Sequence, residues 1–302
     1  MNEKKRSTLA TIALMLVAII WGSGFIGTEY ALKANLPIPW ILFLRFAIAT
    51  VILAFFSIKE IKKMDRKALF HGIVAGVLLY CGFYLQTFGQ SESNVANSSF
   101  LTATNVVMVP FIVWLLNKKR PPAKTFVLAC TTLIGIGFLT LKFENGKLLS
   151  LGYGDVLTIL CAFFFALHIA YLGKYGLTFD AKLMTFLQMA VAAAVSGILL
   201  LVKQVPLDVS TLKAGAMPVL YIAVFSTCIC YFLQTKAQQH VTPSKASVIL
   251  CTEGLFGTIF SIILGMVTLT SNIVIGGIII FVSVVLTEVD IRALLPKRKT
   301  QE

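Results

Sequence analysis

The sequence predicts an all-α polytopic membrane protein of ten transmembrane helices, arranged as two inverted five-helix repeats with both termini in the cytoplasm. Three observations support this fold class. The 302 residues are 58% apolar and only 13% charged, ten apolar runs are long enough to cross a bilayer, and lysine and arginine are concentrated in alternate loops. The surface of a soluble protein needs about twice this share of charge, so soluble domains are excluded as the main architecture.

The ten apolar runs have the length that a helix needs to cross the hydrocarbon core, about 17 to 25 residues. They do not alternate in polarity as the strands of a membrane barrel do, and helices satisfy their own backbone hydrogen bonds in lipid. Pro110 lies well inside the fourth run, where its missing N–H predicts a kink. The predicted spans are 9–31, 37–58, 68–90, 95–116, 125–141, 156–173, 183–202, 214–235, 246–266 and 271–287.

The net charge of +13 reflects membrane orientation rather than an acidic partner. With the N-terminus placed in the cytoplasm, 20 of the 26 lysines and arginines fall on the cytoplasmic side and five on the other side. This bias is the positive-inside pattern, and its short basic clusters face anionic lipid headgroups. Because the cations are dispersed among short turns, the sequence does not predict a nucleic-acid partner. We expect a multi-pass protein of a cell membrane, in a bacterial inner membrane, as a monomer or a homodimer.

An internal repeat appears at an offset of 148 residues, from Leu85 and from Leu233. Each copy runs from the end of one span through the next, so each half holds five spans. Because five is odd, the second copy enters the membrane upside down, as in alternating-access transporters with a binding site between the halves. We therefore predict a first repeat at 9–141, a second at 154–290, and cytoplasmic tails at 1–8 and 291–302. The identical pairs are Leu85/Leu233, Gln86/Gln234, Thr87/Thr235, Gln90/Gln238, Ser99/Ser247, Thr104/Thr252 and Leu116/Leu264.

Several motifs resemble the drug/metabolite transporter superfamily, specifically its ten-helix EamA-type transporters. They are the stretch Ile19-Ile20-Trp21-Gly22-Ser23-Gly24-Phe25, the set Leu44-Arg45-Phe46, the basic turn between spans 4 and 5, and the second-half start Gly152-Tyr153-Gly154-Asp155. The resemblance covers nearly the whole chain and implies an exporter of small molecules. One departure is Phe164-Phe165-Ala166-Leu167-His168, where many members repeat a tryptophan.

Polar residues deep in the spans are the candidates for a substrate or proton pathway. A charge at mid-membrane costs about 2.5 to 3.5 kcal/mol on insertion scales, so it is expected to face the protein interior. Glu253 lies near the middle of span 9, and Asn105 occupies the equivalent position in span 4. His168 lies at a comparable depth. The other pathway candidates are Trp21, which can stack on a cationic or apolar substrate, and Ser23, Tyr84 and Tyr171. For each of them, a purely structural role is the alternative.

Two further pairs are open to two interpretations. Glu29 and Arg45 lie at similar depths near the outer side, which predicts either a structural ion pair or an extracellular gate. Gln86 and Gln234 are repeat-equivalent, near the outer and inner faces respectively, and both gating and ordinary interhelical hydrogen bonds fit them.

The function predicted from these features is secondary transport. The transporter would export a small metabolite that is amino-acid-like, an amine or drug-like, by alternating access and with protons as a candidate coupling ion. An uncoupled facilitator or channel-like permease is the alternative. No GxxxxGK[ST] phosphate loop occurs, and the histidines form no metal-binding or catalytic motif, so we expect no cofactor, no metal and no enzymatic activity.

Overall fold

A computed structural model describes residues 2–93, 95–140, 152–265 and 268–288, and in these residues the secondary structure is helical. The predicted C-terminal tail at 291–302 and the end of the first predicted repeat at 141 lie outside the described residues. The helices are α1 (Glu3–Lys33), α2 (Ile38–Phe56), α3 (Ile58–Ile61), α4 (Arg66–Ser91), α5 (Val95–Ala103), α6 (Asn105–Asn117), α7 (Ala123–Thr140), α8 (Tyr153–Tyr175), α9 (Ala181–Lys203), α10 (Val209–Tyr221), α11 (Cys230–Gln238), α12 (Pro243–Leu250), α13 (Glu253–Ile263) and α14 (Ser271–Glu288), with a π-helical segment (Ile222–Ile229) joining α10 to α11.

Seven helical segments of the described chain are long and apolar enough to cross a membrane. The three remaining predicted spans correspond to shorter apolar helices, so the count of ten spans stays a prediction. Large apolar side chains also point outward around the bundle, among them Leu115 at 79% exposure and Leu201 at 80%. A soluble monomer rarely exposes so much continuous apolar surface. The fold is therefore that of a polytopic membrane protein.

Helix ends follow local capping chemistry. The Asp65 carboxylate accepts a hydrogen bond from the Ala68 backbone N–H at the start of α4, and Asp180 does the same for Lys182 at the start of α9. The backbone N–H of Gly152 donates to Asp155 at the start of α8. Such caps satisfy N–H groups that have no partner within the helix. At the N-terminus, α1 begins at Glu3, so the predicted tail at 1–8 is helical from that residue.

Two predicted spans are interrupted at equivalent positions. Span 4 is split between α5 and α6 at Thr104, and span 9 is split between α12 and α13 at Cys251 and Thr252. Both threonine hydroxyls donate to the carbonyl three residues earlier, at 2.6 Å for Thr104 and 2.7 Å for Thr252. Such side-chain bonds compete with the helical backbone pattern. Pro110, where a kink was predicted, lies within α6, which continues through that residue.

The packing of the helices places elements of both halves side by side. The most extensive contacts are α4 with α8, α7 with α14, and α2 with α9, followed by α4 with α9 and α1 with α13. Close approach of α4 and α8 depends on Gly89, where a Cβ atom would lie 2.9 Å from the Gly154 carbonyl oxygen. Small residues allow such contacts between membrane helices. As a result, α1, α4, α8 and α11 enclose the space in which the polar residues lie.

Candidate functional site

A cavity of about 630 Å³, including its open side, is lined by helices from both halves of the chain. On α1 and α4 its lining occupies the C-terminal half of each helix, from Trp21 to Thr28 and from Phe83 to Gln90. The wall combines aromatic rings with a few polar groups, as small-molecule sites usually do. The remaining lining residues are Gly24, Phe25, Arg45, Gln86, Thr102, Asn105, Phe165, His168, Ile169, Ser226, Tyr231, Gln234, Leu250 and Glu253.

Glu253 is the acidic side chain of this lining and is the first residue of α13, directly after the interruption at Thr252. Its side chain is 93% buried, being 7% exposed. The ion pairs found among the described residues are Glu29 with Lys33 and Glu60 with Lys182, so Glu253 belongs to neither. In the described part of the chain, its carboxylate also has no hydrogen-bond donor. An unpaired carboxylate at this depth is available to a proton or to a cationic ligand.

Arg45 supplies the positive charge of the cavity from α2. Its Nε and Nη2 atoms both donate to the Thr227 hydroxyl, at 3.0 Å and 2.9 Å. The guanidinium carbon also lies 4.1 Å from the centroid of the Phe83 ring, where the ring quadrupole attracts a cation. Arg45 is therefore held by a hydroxyl and an aromatic face, with part of its donor capacity left over.

The predicted ion pair between Glu29 and Arg45 is not formed in the structure. Glu29 lies 3.3 Å from Lys33, one turn further along the same helix, and it accepts a hydrogen bond from Gln90 at 3.4 Å. Arg45 instead points to the π-helical segment. The two residues were assigned similar depths, but depth leaves open the direction in which each helix turns its side chains. The local partner at i+4 is the one that Glu29 reaches.

His168 lines the cavity from α8 and is almost fully buried. Its Nε2 atom lies 2.6 Å from the Gln188 side-chain oxygen. The Gln188 nitrogen donates to the Met184 carbonyl, and a carbonyl oxygen can only accept. The amide oxygen of Gln188 therefore faces His168, and the histidine must carry its proton on Nε2. Nδ1 is the atom left to exchange a proton.

Trp21 anchors one wall of the cavity through both its nitrogen and its ring. The indole N–H donates to the Ser226 carbonyl at 2.8 Å, and the ring centroid lies 5.1 Å from that of Tyr231. Ser226 and Thr227 both belong to the π-helical segment, which follows Pro218 in α10. Thus one irregular stretch holds both Trp21 and Arg45. Local π-helices are rare and often occur at functional sites.

The structure brings the amide candidates Asn105, Gln86 and Gln234 to the cavity as well. Asn105 begins α6 and accepts a hydrogen bond from the Cys251 thiol at 3.4 Å. Gln86 donates to the Thr102 hydroxyl at 3.4 Å, and Gln234 donates to Gln238 at 3.2 Å. The two repeat-equivalent glutamines therefore bond separate partners, and they do not pair with each other.

Three other candidates lie outside the cavity lining. The Ser23 hydroxyl bonds the Tyr221 hydroxyl and the Ile20 carbonyl. Tyr84 packs against the rings of Tyr80 and Phe88. The Tyr171 hydroxyl lies 2.7 Å from Nδ1 of His71, in an aromatic group near the predicted cytoplasmic ends of α4 and α8. In this conformation these three residues hold helices together.

Several residues of the site were missed by sequence reasoning. Tyr231 packs against Trp21 and His168 and lines the cavity together with Arg45 and Glu253. Phe83 and Thr227 hold Arg45, and Gln188 orients His168. The internal repeat pairs Gln90 with Gln238, but the sequence did not indicate a role for either residue. Thr227 and Gln188 carry no sequence signal, because their importance depends on a partner on another helix.

No group of three histidine, cysteine, aspartate or glutamate side chains is close enough to hold a metal ion within the ranges that the structure describes. The arrangement offers one unpaired carboxylate, one arginine, a histidine with a defined tautomer and an aromatic wall. These groups can bind a small polar molecule and exchange a proton. Together with the helical fold, they define a multi-pass membrane protein with a central binding cavity.

Comparison with known proteins places the chain within this class. The model of the EamA-like transporter family matches residues 8–141 and 152–289, so the chain belongs to the EamA-like transporter family. An uncharacterized transporter of Archaeoglobus fulgidus is 28% identical over 284 residues, covering 94% of this chain and 87% of that protein. The uncharacterized inner membrane transporter YicL of Salmonella typhimurium is 23% identical over 294 residues, covering 92% and 95%.

A solved structure, described only as a crystal structure of a protein, has the same fold. Its TM-score with this chain is 0.76 at 13% sequence identity, and the match covers 96% of this chain and 99% of that one. The match to the EamA-like family model confirms the resemblance to the drug/metabolite transporter superfamily that was noted from the motifs.

Proposed function

We propose that this protein is a secondary transporter that exports a small metabolite by alternating access, with Glu253 as its substrate or proton site. The metabolite would be amino-acid-like, an amine or drug-like. The observation that carries the proposal is the buried Glu253 carboxylate, which lines the central cavity without a cation or donor among the described residues. Membership of a transporter family supports the general function.

The helix packing supports an inverted repeat, with 9–141 and 154–290 as its two copies. The contact of α1 with α13 has a counterpart in α8 with α6, and the contact of α4 with α8 has one in α11 with α1. The interruptions at Thr104 and Thr252 are also equivalent under the offset of 148 residues. In inverted-repeat transporters, interrupted helices line the substrate site near the membrane centre.

One pair of glutamine hydrogen bonds fits this symmetry. Gln90 donates to the Phe25 carbonyl of α1 at 3.3 Å, and its repeat-equivalent Gln238 donates to the Ile169 carbonyl of α8 at 2.9 Å. Under the predicted orientation, the Gln90 bond lies toward the outside and the Gln238 bond toward the cytoplasm. We infer that each bond holds one side of the transporter closed, and that the two bonds strengthen in alternate states.

The position of the cavity suggests the state that the structure represents. Its lining on α1 and α4 lies in the halves that are predicted to face outward. The cytoplasmic half of α1 is instead packed into the core through Ala10, Leu14 and Val17. We infer that the cavity is directed outward and that its inner side is closed, which is the state from which an exporter releases its substrate.

The location follows from the same orientation. We infer that the protein lies in a bacterial inner membrane with both termini in the cytoplasm. The bias of basic residues toward one side supports this orientation, and the name of the Salmonella relative supports the choice of membrane.

Energy for export would come from protons exchanging at Glu253. Protonation makes the Glu253 carboxyl neutral, so the transporter changes between its alternating-access states at a lower electrostatic cost than with the charged carboxylate. His168 is a second candidate proton site through Nδ1. The alternative is an uncoupled facilitator, in which Glu253 only attracts the substrate.

Transport by the purified protein in proteoliposomes tests the proposal. A set of labelled amino acids and amines is loaded inside, a pH gradient is imposed, and efflux is followed for the wild type and for Glu253→Gln. We expect the pH gradient to drive efflux in the wild type and to have no effect in the variant. Glu60→Gln is the matched control, because it makes the same change in a carboxylate that is paired with Lys182 outside the cavity lining.

The outcomes separate the alternatives. If Glu60→Gln keeps the pH dependence and Glu253→Gln loses it, proton coupling at Glu253 is supported. Equal efflux with and without the gradient in the wild type favours the uncoupled facilitator. Unchanged pH-driven efflux in Glu253→Gln rules out Glu253 as the proton site.

A further inference from the structure

Gln234 presents a buried hydrogen-bond acceptor that the protein itself does not use. The residue lines the cavity from α11 and is only 1% exposed. Its side-chain oxygen has no hydrogen-bond partner among the described residues. Buried polar atoms are nearly always paired, so an unpaired one requires an explanation. A ligand that donates a hydrogen bond is one such explanation.

The orientation of this amide is fixed by its neighbour. The Gln238 nitrogen donates to the Ile169 carbonyl at 2.9 Å, and a carbonyl oxygen only accepts. The Gln238 oxygen therefore faces Gln234 and receives the hydrogen bond from its nitrogen, at 3.2 Å. Rotating the Gln234 amide would place two oxygen atoms against each other. The free atom of Gln234 is thus held as an oxygen.

Two donors of the wall other than Arg45 are already engaged. The Trp21 N–H is bound to the Ser226 carbonyl, and the His168 Nε2–H is bound to Gln188. Among the described residues, the fully buried Gln234 oxygen has no donor, and the Glu253 carboxylate belongs to neither of the ion pairs. Both are acceptors. These two groups of the lining therefore complement a positively charged group that carries several N–H donors.

We infer that Gln234 is a specificity-determining residue, whose fixed oxygen accepts a hydrogen bond from a primary ammonium group of the substrate while Glu253 balances its charge. This inference rests on the proposed transport function and narrows its substrate class. A primary ammonium has three N–H donors. A quaternary ammonium has none, although it can still be held by the aromatic faces of Trp21 and Tyr231. Gln234 accordingly selects between the two.

The test compares two probes that differ in this one property. They are 2-phenylethylamine and its N,N,N-trimethyl derivative, whose phenyl group suits the aromatic wall. Binding of each is measured by calorimetry on the purified full-length protein in detergent. We expect the wild type to bind the primary amine more tightly. Gln234→Met should weaken binding of the primary amine about tenfold, the size of one hydrogen bond to a charged group, and should leave the affinity for the trimethyl probe within about twofold.

Two further variants provide an independent check and a control for this test. Gln238→Met leaves Gln234 in place and releases its amide to rotate, so it should lower the preference for the primary amine in the same direction. Gln239→Met is the matched control, since Gln239 lies next in sequence and donates to the Phe179 carbonyl, outside the cavity lining. It should leave the preference unchanged. Binding of the trimethyl probe at wild-type affinity shows that a variant is folded.

The inference is overturned if the wild type binds neither probe, if it does not prefer the primary amine, or if Gln234→Met weakens both probes equally or neither. Effects on neither probe would assign the oxygen to a bound water. Transport is scored separately. A protein that shows the expected preference but moves no solute across liposomes refutes the transport function alone, whereas transport with a preference insensitive to Gln234→Met refutes the Gln234 assignment alone.

Discussion

Replacing Thr227 by valine should destabilise the protein through Arg45. Valine has nearly the shape of threonine, so packing is preserved, while the Nε and Nη2 donors of Arg45 both lose their acceptor. A hydrogen bond to a charged group contributes about 1.5–3 kcal/mol. Because the two bonds share one oxygen, they should not count fully twice, and the contact with Phe83 remains. We expect a loss of about 2–3 kcal/mol in the free energy of unfolding.

A double-mutant cycle separates this effect from other consequences of the substitution. In an Arg45→Met background the hydroxyl has no charged donors to accept from, so Thr227→Val should cost less than about 0.5 kcal/mol. The coupling energy should then exceed about 1.5 kcal/mol. Unfolding in mixed micelles with increasing dodecyl sulfate provides the measurement. Ordinary interhelical hydrogen bonds in membranes average about 0.6 kcal/mol. A coupling energy at or below that value would refute the assignment of Thr227 as the anchor of Arg45.

Three further predictions concern packing, surface charge and topology. Gly89→Ala should lower the free energy of unfolding by about 1–3 kcal/mol, because the added methyl group overpacks α4 against Gly154 and Thr158. Gly254→Ala is the control and should be neutral or slightly stabilising, because its Cβ would have its nearest neighbour at 4.0 Å. Equal losses in the two variants would contradict this prediction. The hydrogen bond from Lys182 lowers the pKa of the Glu60 carboxyl below its ordinary value of 4.5. The small stability difference between the wild type and Lys182→Met should therefore be present above pH 4.5 and disappear as the pH falls below it. Thermal unfolding at several pH values checks this, and a difference that grows in acid would contradict it. In a cysteine-free background, Lys33→Cys should react with a membrane-impermeant maleimide in intact cells, and Lys119→Cys only after permeabilisation; the opposite pattern would reverse the predicted orientation.

Hydropathy predicted the helices well because lipid imposes a minimum length of apolar sequence. The predicted span 183–202 differs from α9 by only a few residues, and the Asp180 cap accounts for its start. The structure extends the predicted span 214–235 back to Val209, since the first turn of α10 contains the polar residues Ser210 and Thr211. Polar residues at the end of a helix are not detected when helices are predicted from apolar runs.

The details of the site were harder to predict, because hydropathy gives the depth of a residue but not the direction in which it faces. Glu253, Asn105, His168 and Trp21 were identified as deep polar or aromatic residues, and the structure does bring them to one cavity. The depth of Arg45 in the membrane does not predict its hydrogen bond to Thr227, which lies 182 positions away in the sequence. The π-helical segment was likewise missed, since its sequence is as apolar as that of a regular helix.

The attachment of Trp21 has a practical consequence. The chain has three tryptophans. Trp40 is tied to the Val205 carbonyl and Trp114 lies beside Arg120, both outside the cavity lining. A chain with phenylalanine at positions 40 and 114 would retain a single indole, fixed against Tyr231 in the cavity wall. Its fluorescence would respond to any molecule entering there, so the protein contains its own optical sensor and candidate ligands can be screened without labelling either partner.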